Sequence, residues 1–184
     1  MCKHRKTKNP YQGIFWGRFD PPTKAHQEII KIAVQDLQLE KIHIVINDFN
    51  RNCYFSAKKR AELFKKLLQN ELKGINAEVL IQNTNNLHSY EIIKKKVKKP
   101  CVAICGSDSF DLWLKKGNCT TNYDCIAVFQ RKEFIPLPLS KNICNFKLPD
   151  GLDSISATNV RAILNSGLEP KALVPDSISH LLLT

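Results

Sequence analysis

Short apolar runs alternate with segments of helical periodicity along most of this chain, and this alternation restricts the fold more than any other feature. It is typical of β-α-β units, in which helices connect parallel strands by right-handed crossovers. The pattern therefore predicts an α/β protein with one doubly wound parallel sheet. The predicted strands are 14–16, 41–47, 78–82, 101–105, 125–129 and 143–148, and the predicted helices are 27–39, 56–68, 89–98 and a short one through 113.

The chain suits a single domain, because 184 residues can bury a substantial core. We expect this domain at 11–184. Residues 1–10 are basic and lack the apolar segment of a signal peptide, which predicts a disordered tail. No apolar run approaches the length of a membrane span. The seven cysteines are irregularly spaced and form no C-x-x-C pair, so we expect a cytoplasmic protein without a zinc site.

Polar stretches follow several of the predicted strands. They occupy 17–26, 47–54, 83–90 and 106–109. In open parallel sheets, ligands bind outside the carboxyl ends of the strands. The order of the segments therefore predicts that these stretches meet at one edge of the sheet and form a binding site there.

The stretch 13–26 has the composition of a phosphate-binding turn. Gly17 frees the backbone where the first strand ends, and two prolines then lead into a helix. Thr23, Lys24 and His26 fall in or beside the first helical turn, where unpaired N–H groups and the helix dipole favour an anion. A hydroxyl, an ammonium and an imidazole are thus expected to share one anion site.

A second candidate anion site lies near the end of the chain. Ser156 or Thr158 can cap the helix that follows, and Arg161 lies one turn inside it on the same side as Thr158. An arginine so placed can bind phosphate through two parallel hydrogen bonds. Taken alone, the segment is equally well explained as an ordinary helix start with a surface arginine.

Both segments resemble signatures of the nucleotidyltransferase superfamily. Thr23 and His26 match the (H/T)-x-G-H signature, although Ala25 stands where that family usually has glycine and could crowd a phosphate. The I-S-x-T-x-x-R signature is matched by Ile155, Ser156, Thr158 and Arg161. The two signatures occur in the family's order, and the resemblance covers nearly the whole chain. It implies a Rossmann-like fold.

Three further segments resemble the nicotinate or nicotinamide mononucleotide adenylyltransferases. Ser89-Tyr90 is similar to an S-Y-T segment whose backbone receives the pyridine substituent, and 104–110 is similar to an I-G-x-D-S-L segment. Trp113 resembles a tryptophan that stacks on the pyridinium ring. Glu91 replaces the family's threonine, and its charge would repel nicotinate unless the side chain points away. The amide form of the acceptor therefore remains open.

The resemblance implies that an acceptor phosphate attacks the α-phosphorus of ATP, with Mg²⁺ accompanying ATP and no metal held by the protein itself. The implied acceptor is nicotinate or nicotinamide mononucleotide, and the product is the dinucleotide of NAD biosynthesis. The implied catalytic residues are His26, Thr23, Lys24 and Arg161; the ATP-binding residues are Gly17, Arg18, Phe19, Gly106, Asp108, Ser156 and Thr158; and the acceptor-binding residues are Asn47, Ser89, Tyr90 and Trp113.

Two alternatives remain at this level. Phe55-Ser56 followed by Lys59-Arg60 resembles phosphopantetheine adenylyltransferases, which also use threonine in the first signature. Alternatively, a catalytically silent nucleotide-binding protein would account for Ala25.

The net charge of +11 calls for an anionic partner. The lysine-rich segment 94–99 nevertheless reads as a solvated helix end, so we expect no nucleic-acid or membrane partner, and a homo-oligomer is possible.

Overall fold

The computed structural model describes residues 11–49, 52–115, 123–131 and 141–183. The tail predicted at 1–10 lies outside these residues. Six strands are present: β1 (Gln12–Gly17), β2 (Lys41–Asn47), β3 (Ala77–Gln82), β4 (Cys101–Gly106), β5 (Cys125–Gln130) and β6 (Ile143–Lys147). The helices are α1 (Lys24–Asp36), α2 (Ala57–Glu71), α3 (Asn86–Val97), α4 (Ser107–Lys115), α5 (Ala157–Asn165) and α6 (Asp176–Ser179), with a final 3₁₀ turn at His180–Leu182.

The six strands form one sheet in the order β3-β2-β1-β4-β5-β6, and every neighbouring pair is parallel. The chain winds outward from β1 in one direction to β3, and then returns to β4 and winds in the other direction. The topology therefore changes direction between β1 and β4, which is where doubly wound sheets bind their ligands. The predicted Rossmann-like α/β fold is confirmed, including its sixth strand.

Helices cover both faces of the sheet, because adjacent residues of each buried strand point to opposite sides. In β1, Phe15 packs in the larger core cluster with α1 and α2, whereas Ile14 packs in the smaller cluster with Tyr90 of α3 and Phe110 of α4. The central strands are buried throughout, which explains why they appear in the sequence as continuous apolar runs rather than as alternating patterns.

Helix α3 begins earlier than its apolar pattern predicts. The sequence indicates a loop to 88, but the helix begins at Asn86, because the side chain of Asn85 accepts a hydrogen bond from the backbone N–H of His88 over 2.9 Å. This side chain satisfies one of the unpaired N–H groups of the first turn and so moves the helix start. Among the described residues, no helix is long and apolar enough to cross a membrane.

Candidate active site

A polar pocket, termed here the phosphate pocket, opens at the carboxyl edge of the sheet beside the change of direction between β1 and β4. It encloses about 740 Å³, including its open mouth. Five segments supply its walls: the end of β1 with the turn that follows it, the first two turns of α1, the end of β4 with the start of α4, the residue after β5, and the start of α5. The lining residues that carry functional groups are Arg18, Asp20, His26, Asp108, Ser109, Arg131, Ser156, Thr158 and Arg161.

Thr23 and His26 form a reciprocal cap at the start of α1. The backbone N–H of Thr23 donates to Nδ1 of His26 over 3.0 Å, and the backbone N–H of His26 points to Oγ1 of Thr23 over 3.4 Å. A backbone N–H can only donate, so Nδ1 must carry a lone pair. The neutral imidazole therefore holds its proton on Nε2, at the other edge of a ring that lines the phosphate pocket.

His26 is uncharged at neutral pH. Burial, together with the nearby Arg131 guanidinium, lowers the pKa of His26 from 6.5 to about 3. The edge of Phe19 packs against the imidazole with a centroid distance of 5.0 Å. In the ligand-free protein His26 is thus a fixed hydrogen-bond donor through Nε2 and not a cation.

Gly17 makes room for this packing. A Cβ atom at Gly17 would lie 2.9 Å from the ring of Phe19. Phe19 itself is buried and has a φ of 51°, so its ring folds back over the end of β1 and contacts Phe15 and Phe64. Gly17 and Phe19 thus shape the turn around His26 and also line the phosphate pocket, and their contacts with ATP stay a prediction.

Thr23 and Lys24, the other residues predicted to hold phosphate at the start of α1, are not among the residues that line the phosphate pocket. Thr23 is fully buried, and the Lys24 ammonium lies 3.3 Å from the carboxylate of Asp176 in α6 rather than among the lining residues. The backbone N–H of Lys24 donates to the carbonyl of Leu173 over 3.0 Å. This N–H group, expected to be available to a phosphate, is thus already paired. The phosphate-binding role of Lys24 stays a prediction.

Ala25 does not crowd the phosphate pocket. Its side chain is fully buried in the larger core cluster, and it is not among the residues that line the pocket. The methyl group that distinguishes alanine from the family's glycine therefore points away from the site. The one mismatch in the first signature leaves the phosphate pocket unaltered.

The two signatures meet at Arg161. Its Nη1 donates to the backbone carbonyl of Asp20 over 2.8 Å, and its Nη2 donates to Oγ1 of Thr158 over 3.1 Å. Ser156 caps α5 by accepting a hydrogen bond from the N–H of Asn159 over 3.2 Å. The side chains of Ser156, Thr158 and Arg161 all line the phosphate pocket, as the sequence predicts.

Arg131 is a pocket residue that the sequence reasoning missed. It follows β5 directly, its guanidinium donates to the carbonyl of Ile155, and its backbone N–H donates to Oγ of Ser107 over 3.1 Å. It therefore fixes the second signature against the end of β4. The sequence does contain a signal for Arg131, since it is a cationic residue just after a predicted strand. In a parallel sheet that position lies at the edge where ligands bind.

Gly106 and Asp108 also lie where the sequence predicts. A Cβ at Gly106 would come within 2.7 Å of Oδ1 of Asp108, so the carboxylate rests directly over the glycine backbone. Asp108 is exposed and lines the phosphate pocket at the start of α4. The absence of a side chain at Gly106 thus determines where this carboxylate sits.

A second pocket, termed here the aromatic pocket, adjoins the first and shares Trp16 and Ser109 with it. It holds about 290 Å³, including its mouth, and is lined by Trp16, Ala103, Cys105, Ser109, Phe110, Trp113, Tyr123 and Ile126. Trp113, predicted to stack on the pyridine ring, is one of the lining residues, and its role stays a prediction. Trp16 and Tyr123 were not anticipated.

The other predicted acceptor residues line neither pocket. Ser89 is buried, with its hydroxyl 3.1 Å from that of Thr84, and the Tyr90 hydroxyl is bound near Asp124 at the amino end of β5. The carbonyl of Asn47 accepts from Arg60 over 3.2 Å. Backbone contacts of these residues with the acceptor stay predictions. Glu91 is exposed, and its carboxylate lies 3.8 Å from Nδ1 of His88.

Asp20 and Arg60 form a buried framework beneath the site, which the sequence reasoning also missed. The Asp20 carboxylate accepts from the N–H groups of Tyr54 and Phe55 over 2.7 and 2.9 Å. The fully buried Arg60 donates to the carbonyl of Arg18 over 2.7 Å and pairs with Asp48. These contacts join the loops that follow β1 and β2 to the start of α2.

Several lysines of the segment 94–99 are engaged in ion pairs. Lys94 lies 2.7 Å from Asp124, Lys96 lies 3.7 Å from Glu78, and Lys99 lies 2.6 Å from Glu40. Their charges are therefore partly balanced by neighbouring carboxylates, which supports the interpretation of this segment as a solvated helix end.

The chain resembles nucleotidyltransferases in both sequence and fold. The family model described as cytidylyltransferase-like matches residues 14–163. A probable nicotinate-nucleotide adenylyltransferase from Campylobacter fetus subsp. fetus is 30% identical over 175 residues, which cover 90% of this chain and 93% of the relative. A phosphopantetheine adenylyltransferase from Lactococcus lactis subsp. cremoris is 27% identical over 169 residues, which cover 91% of each chain.

The fold is shared with a solved structure. The nicotinic acid mononucleotide adenylyltransferase of Plasmodium falciparum, complexed with NaAD, superposes with a TM-score of 0.70 at 17% identity. The superposition covers 94% of this chain and 95% of that chain.

Proposed function

The chain belongs to the cytidylyltransferase-like family and, within it, to the nicotinate-nucleotide adenylyltransferases, and we propose that it transfers the adenylyl group of ATP to nicotinate mononucleotide. The products are the dinucleotide and pyrophosphate. This proposal assigns ATP and the acceptor phosphate to the phosphate pocket and the pyridine ring to the aromatic pocket.

The observation that carries the proposal is the junction of the two pockets. A pocket lined by His26, Arg131 and Arg161 opens beside one lined by indole and phenol rings, and the two share Trp16 and Ser109. A pyridine mononucleotide carries a phosphate at one end and a flat cationic ring at the other. Aromatic faces attract such a ring, and guanidinium groups bind phosphate.

The side chains at the phosphate pocket suit a transfer that depends on positioning and charge stabilisation. We assign the β- and γ-phosphates of ATP to Ser156, Thr158 and Arg161. The Nε2–H of His26 donates to an oxygen near the reacting phosphorus, and the cap with Thr23 holds the ring in that orientation. Because this donor is oriented before the substrate arrives, little reorganisation is needed as charge develops.

The transfer needs no general base. An oxygen of the acceptor phosphate forms a bond to the α-phosphorus, while the bond from that phosphorus to the oxygen bridging to the β-phosphorus breaks. Pyrophosphate leaves with the electron pair. The attacking oxygen is already deprotonated near neutral pH, so no proton has to be removed for the bond to form. A neutral His26 is compatible with this chemistry, since it acts as a donor.

The residues present fit a Mg²⁺ ion that arrives on ATP. The described residues contain no group of three or more His, Cys, Asp or Glu side chains able to hold a metal. Mg²⁺ commonly binds through substrate phosphates, water and one or two carboxylates, and Asp108 is a carboxylate that lines the phosphate pocket. When bound, the ion would neutralise phosphate charge.

Phosphopantetheine is the second candidate acceptor, since the Lactococcus lactis relative covers the same share of the chain at similar identity. The aromatic pocket favours the pyridine acceptor, because a flexible pantetheine arm has no ring to place against Trp113.

An acceptor panel tests the proposal. The full chain is incubated with Mg²⁺, with ATP or CTP, and with nicotinate mononucleotide, nicotinamide mononucleotide or phosphopantetheine. Released pyrophosphate and the coupled product are measured in each case. We expect the highest kcat/KM with ATP and nicotinate mononucleotide. Turnover with phosphopantetheine alone, or with no acceptor, would contradict the proposal.

The homo-oligomer also stays a prediction, which light scattering of the same sample tests.

A further inference from the structure

The aromatic pocket contains a buried phenol without a hydrogen-bond partner. Tyr123 lies two residues before the start of β5 and is 4% exposed. Its hydroxyl makes no hydrogen bond to any residue that the structure describes. Buried polar side-chain atoms nearly always have a partner, so an exception in a native fold calls for an explanation.

Neighbouring Tyr90 shows that this vicinity can satisfy a phenol. The two rings are 4.4 Å apart, and Tyr90 is fully buried. Its hydroxyl accepts a hydrogen bond from the N–H of Asp124 over 3.1 Å and lies 3.3 Å from the carbonyl of Cys101. Of these two tyrosines in one cluster, only Tyr90 has hydrogen-bond partners for its hydroxyl among the described residues.

The position of Tyr123 relates this hydroxyl to the acceptor. Its ring stacks on Trp16 at 5.9 Å and meets Trp113 edge to face at 5.2 Å, and all three side chains line the aromatic pocket. Trp16 also lines the phosphate pocket. A mononucleotide anchored by its phosphate would thus extend its ring toward Tyr123.

The phenol retains its proton under ordinary conditions. Burial raises the pKa of Tyr123, and the nearby Cys105 thiol and Glu91 carboxylate raise it further. The hydroxyl is accordingly available as a donor at neutral pH. A carboxylate offers a charged acceptor, and hydrogen bonds to charged groups are stronger than those to neutral amides.

We propose that the Tyr123 hydroxyl donates a hydrogen bond to the carboxylate on the pyridine ring of the acceptor, which makes Tyr123 a residue that selects the acid over the amide. This inference rests on the proposed function. It extends that function by assigning the choice between the two pyridine mononucleotides to one atom of this chain.

The Tyr123→Phe variant tests the inference, because it removes one oxygen and keeps the ring. We expect kcat/KM to fall roughly 30-fold for nicotinate mononucleotide and roughly 5-fold for nicotinamide mononucleotide, in line with the loss of a charged or a neutral hydrogen bond. The change should appear in the KM of the acceptor, whereas the KM of ATP should stay as it is in the unchanged chain.

Thermal unfolding supplies a second measurement, because a structural role and a ligand-binding role of the Tyr123 hydroxyl predict opposite changes in the Tm of Tyr123→Phe. Removing an unsatisfied buried hydroxyl should leave the Tm of Tyr123→Phe unchanged or raise it. Tyr90→Phe is the matched variant, since its hydroxyl has partners, and its Tm should fall. A lower Tm for Tyr123→Phe would indicate a structural role and overturn the inference.

The outcomes separate this inference from the proposed function. If the unchanged chain turns over neither pyridine mononucleotide, the proposed function fails and the inference falls with it. If the unchanged chain is active but Tyr123→Phe keeps the same acceptor KM and the same ratio between the two acceptors, the inference alone is overturned. A reduced ratio with an unchanged KM for ATP supports it.

Discussion

At the scale of single residues, the site depends on where one proton resides. The Thr23 N–H places a lone pair on Nδ1 of His26 and thereby a proton on Nε2. Burial and Arg131 together keep the imidazole neutral. His26 can therefore donate to a phosphate without first having to be charged, which suits chemistry near pH 7.

Stability should depend on pH through His26. Its folded pKa of about 3 lies below the unfolded value of 6.5, so the unfolded chain binds more protons between these values. The stabilisation is complete above pH 6.5 and is lost as the pH falls toward 3, by up to about 1.4 kcal/mol per pH unit. Urea unfolding between pH 7 and 5 measures this slope.

The His26→Gln variant should flatten that slope, because glutamine does not titrate in this range. A slope remains from His43, whose pKa is also lowered, first by burial and then by Lys41. His180→Gln is the control, since this histidine is exposed on the final turn and does not line the phosphate pocket, and His26→Gln should change the slope more than this control does. Equal slopes for His26→Gln and the unchanged chain would contradict the assigned protonation state.

Removing the Arg131 guanidinium should raise the pKa of His26, because a cation that disfavours the imidazolium is gone. An NMR titration of Arg131→Gln measures this shift. The same variant should lower kcat/KM roughly 30-fold through the loss of a charged contact with phosphate. Lys147→Gln, which changes an exposed lysine of β6, should alter neither quantity. If the pKa of His26 is the same in Arg131→Gln as in the unchanged chain, Arg131 does not act on the imidazole, which would contradict this prediction.

At the scale of elements, polar side chains determine where the helices begin. Thr23, Asn85 and Ser156 each accept a hydrogen bond from a backbone N–H of the first turn in α1, α3 and α5. In α5 the cap Ser156 lines the phosphate pocket, and in α1 the cap Thr23 orients His26, which lines it. In α3 the cap Asn85 lines neither pocket.

The cap of α3 should contribute measurably to stability. Asn85→Ala removes the acceptor for the N–H of His88, and we expect it to lower the free energy of unfolding by about 1 kcal/mol. Asn70→Ala is the matched control, because its side chain bonds a carbonyl within α2 and caps no helix start. Urea unfolding compares the two. Equal stabilities would show that Asn85 does not maintain the start of α3.

At the scale of the whole molecule, Arg60 holds the ligand-binding edge of the sheet together. It is fully buried and donates to the carbonyls of Arg18, Asn47 and Phe55, while pairing with Asp48. Arg18 belongs to the connection between β1 and α1, whereas Asn47, Asp48 and Phe55 lie at the two ends of the connection between β2 and α2. One side chain thus fixes the relative positions of these two connections around the first signature.

Replacing Arg60 should therefore damage both stability and the site. Arg60→Met leaves buried carbonyl groups without donors, and we expect the free energy of unfolding to fall by about 3 kcal/mol. The KM of ATP should also rise, since the turn at Arg18 loses its anchor. Lys58→Met, which changes an exposed neighbour on the same helix, is the control. A similar, small effect of both substitutions would contradict this role.

The catalytic half of the site was more predictable than the acceptor half. His26, Ser156, Thr158 and Arg161 belong to short local patterns at helix starts, where spacing along the chain determines geometry. Asn47, Ser89 and Tyr90 were expected at the acceptor, yet their side chains line neither pocket. Arg131 and Tyr123, which do line the pockets, flank β5 and have no local pattern to mark them.

Local sequence patterns were enough to predict the parallel α/β sheet, the edge of the sheet at which the phosphate pocket opens, and the two helix starts beside that pocket. These follow from periodicity and capping, which act between residues close together in the chain. Only packing between elements determined that Ala25 points away from the phosphate pocket, that Lys24 pairs with Asp176, and that Trp16, Trp113 and Tyr123 share one pocket. The direction of a side chain and the convergence of distant segments depend on packing between elements, which no local pattern records.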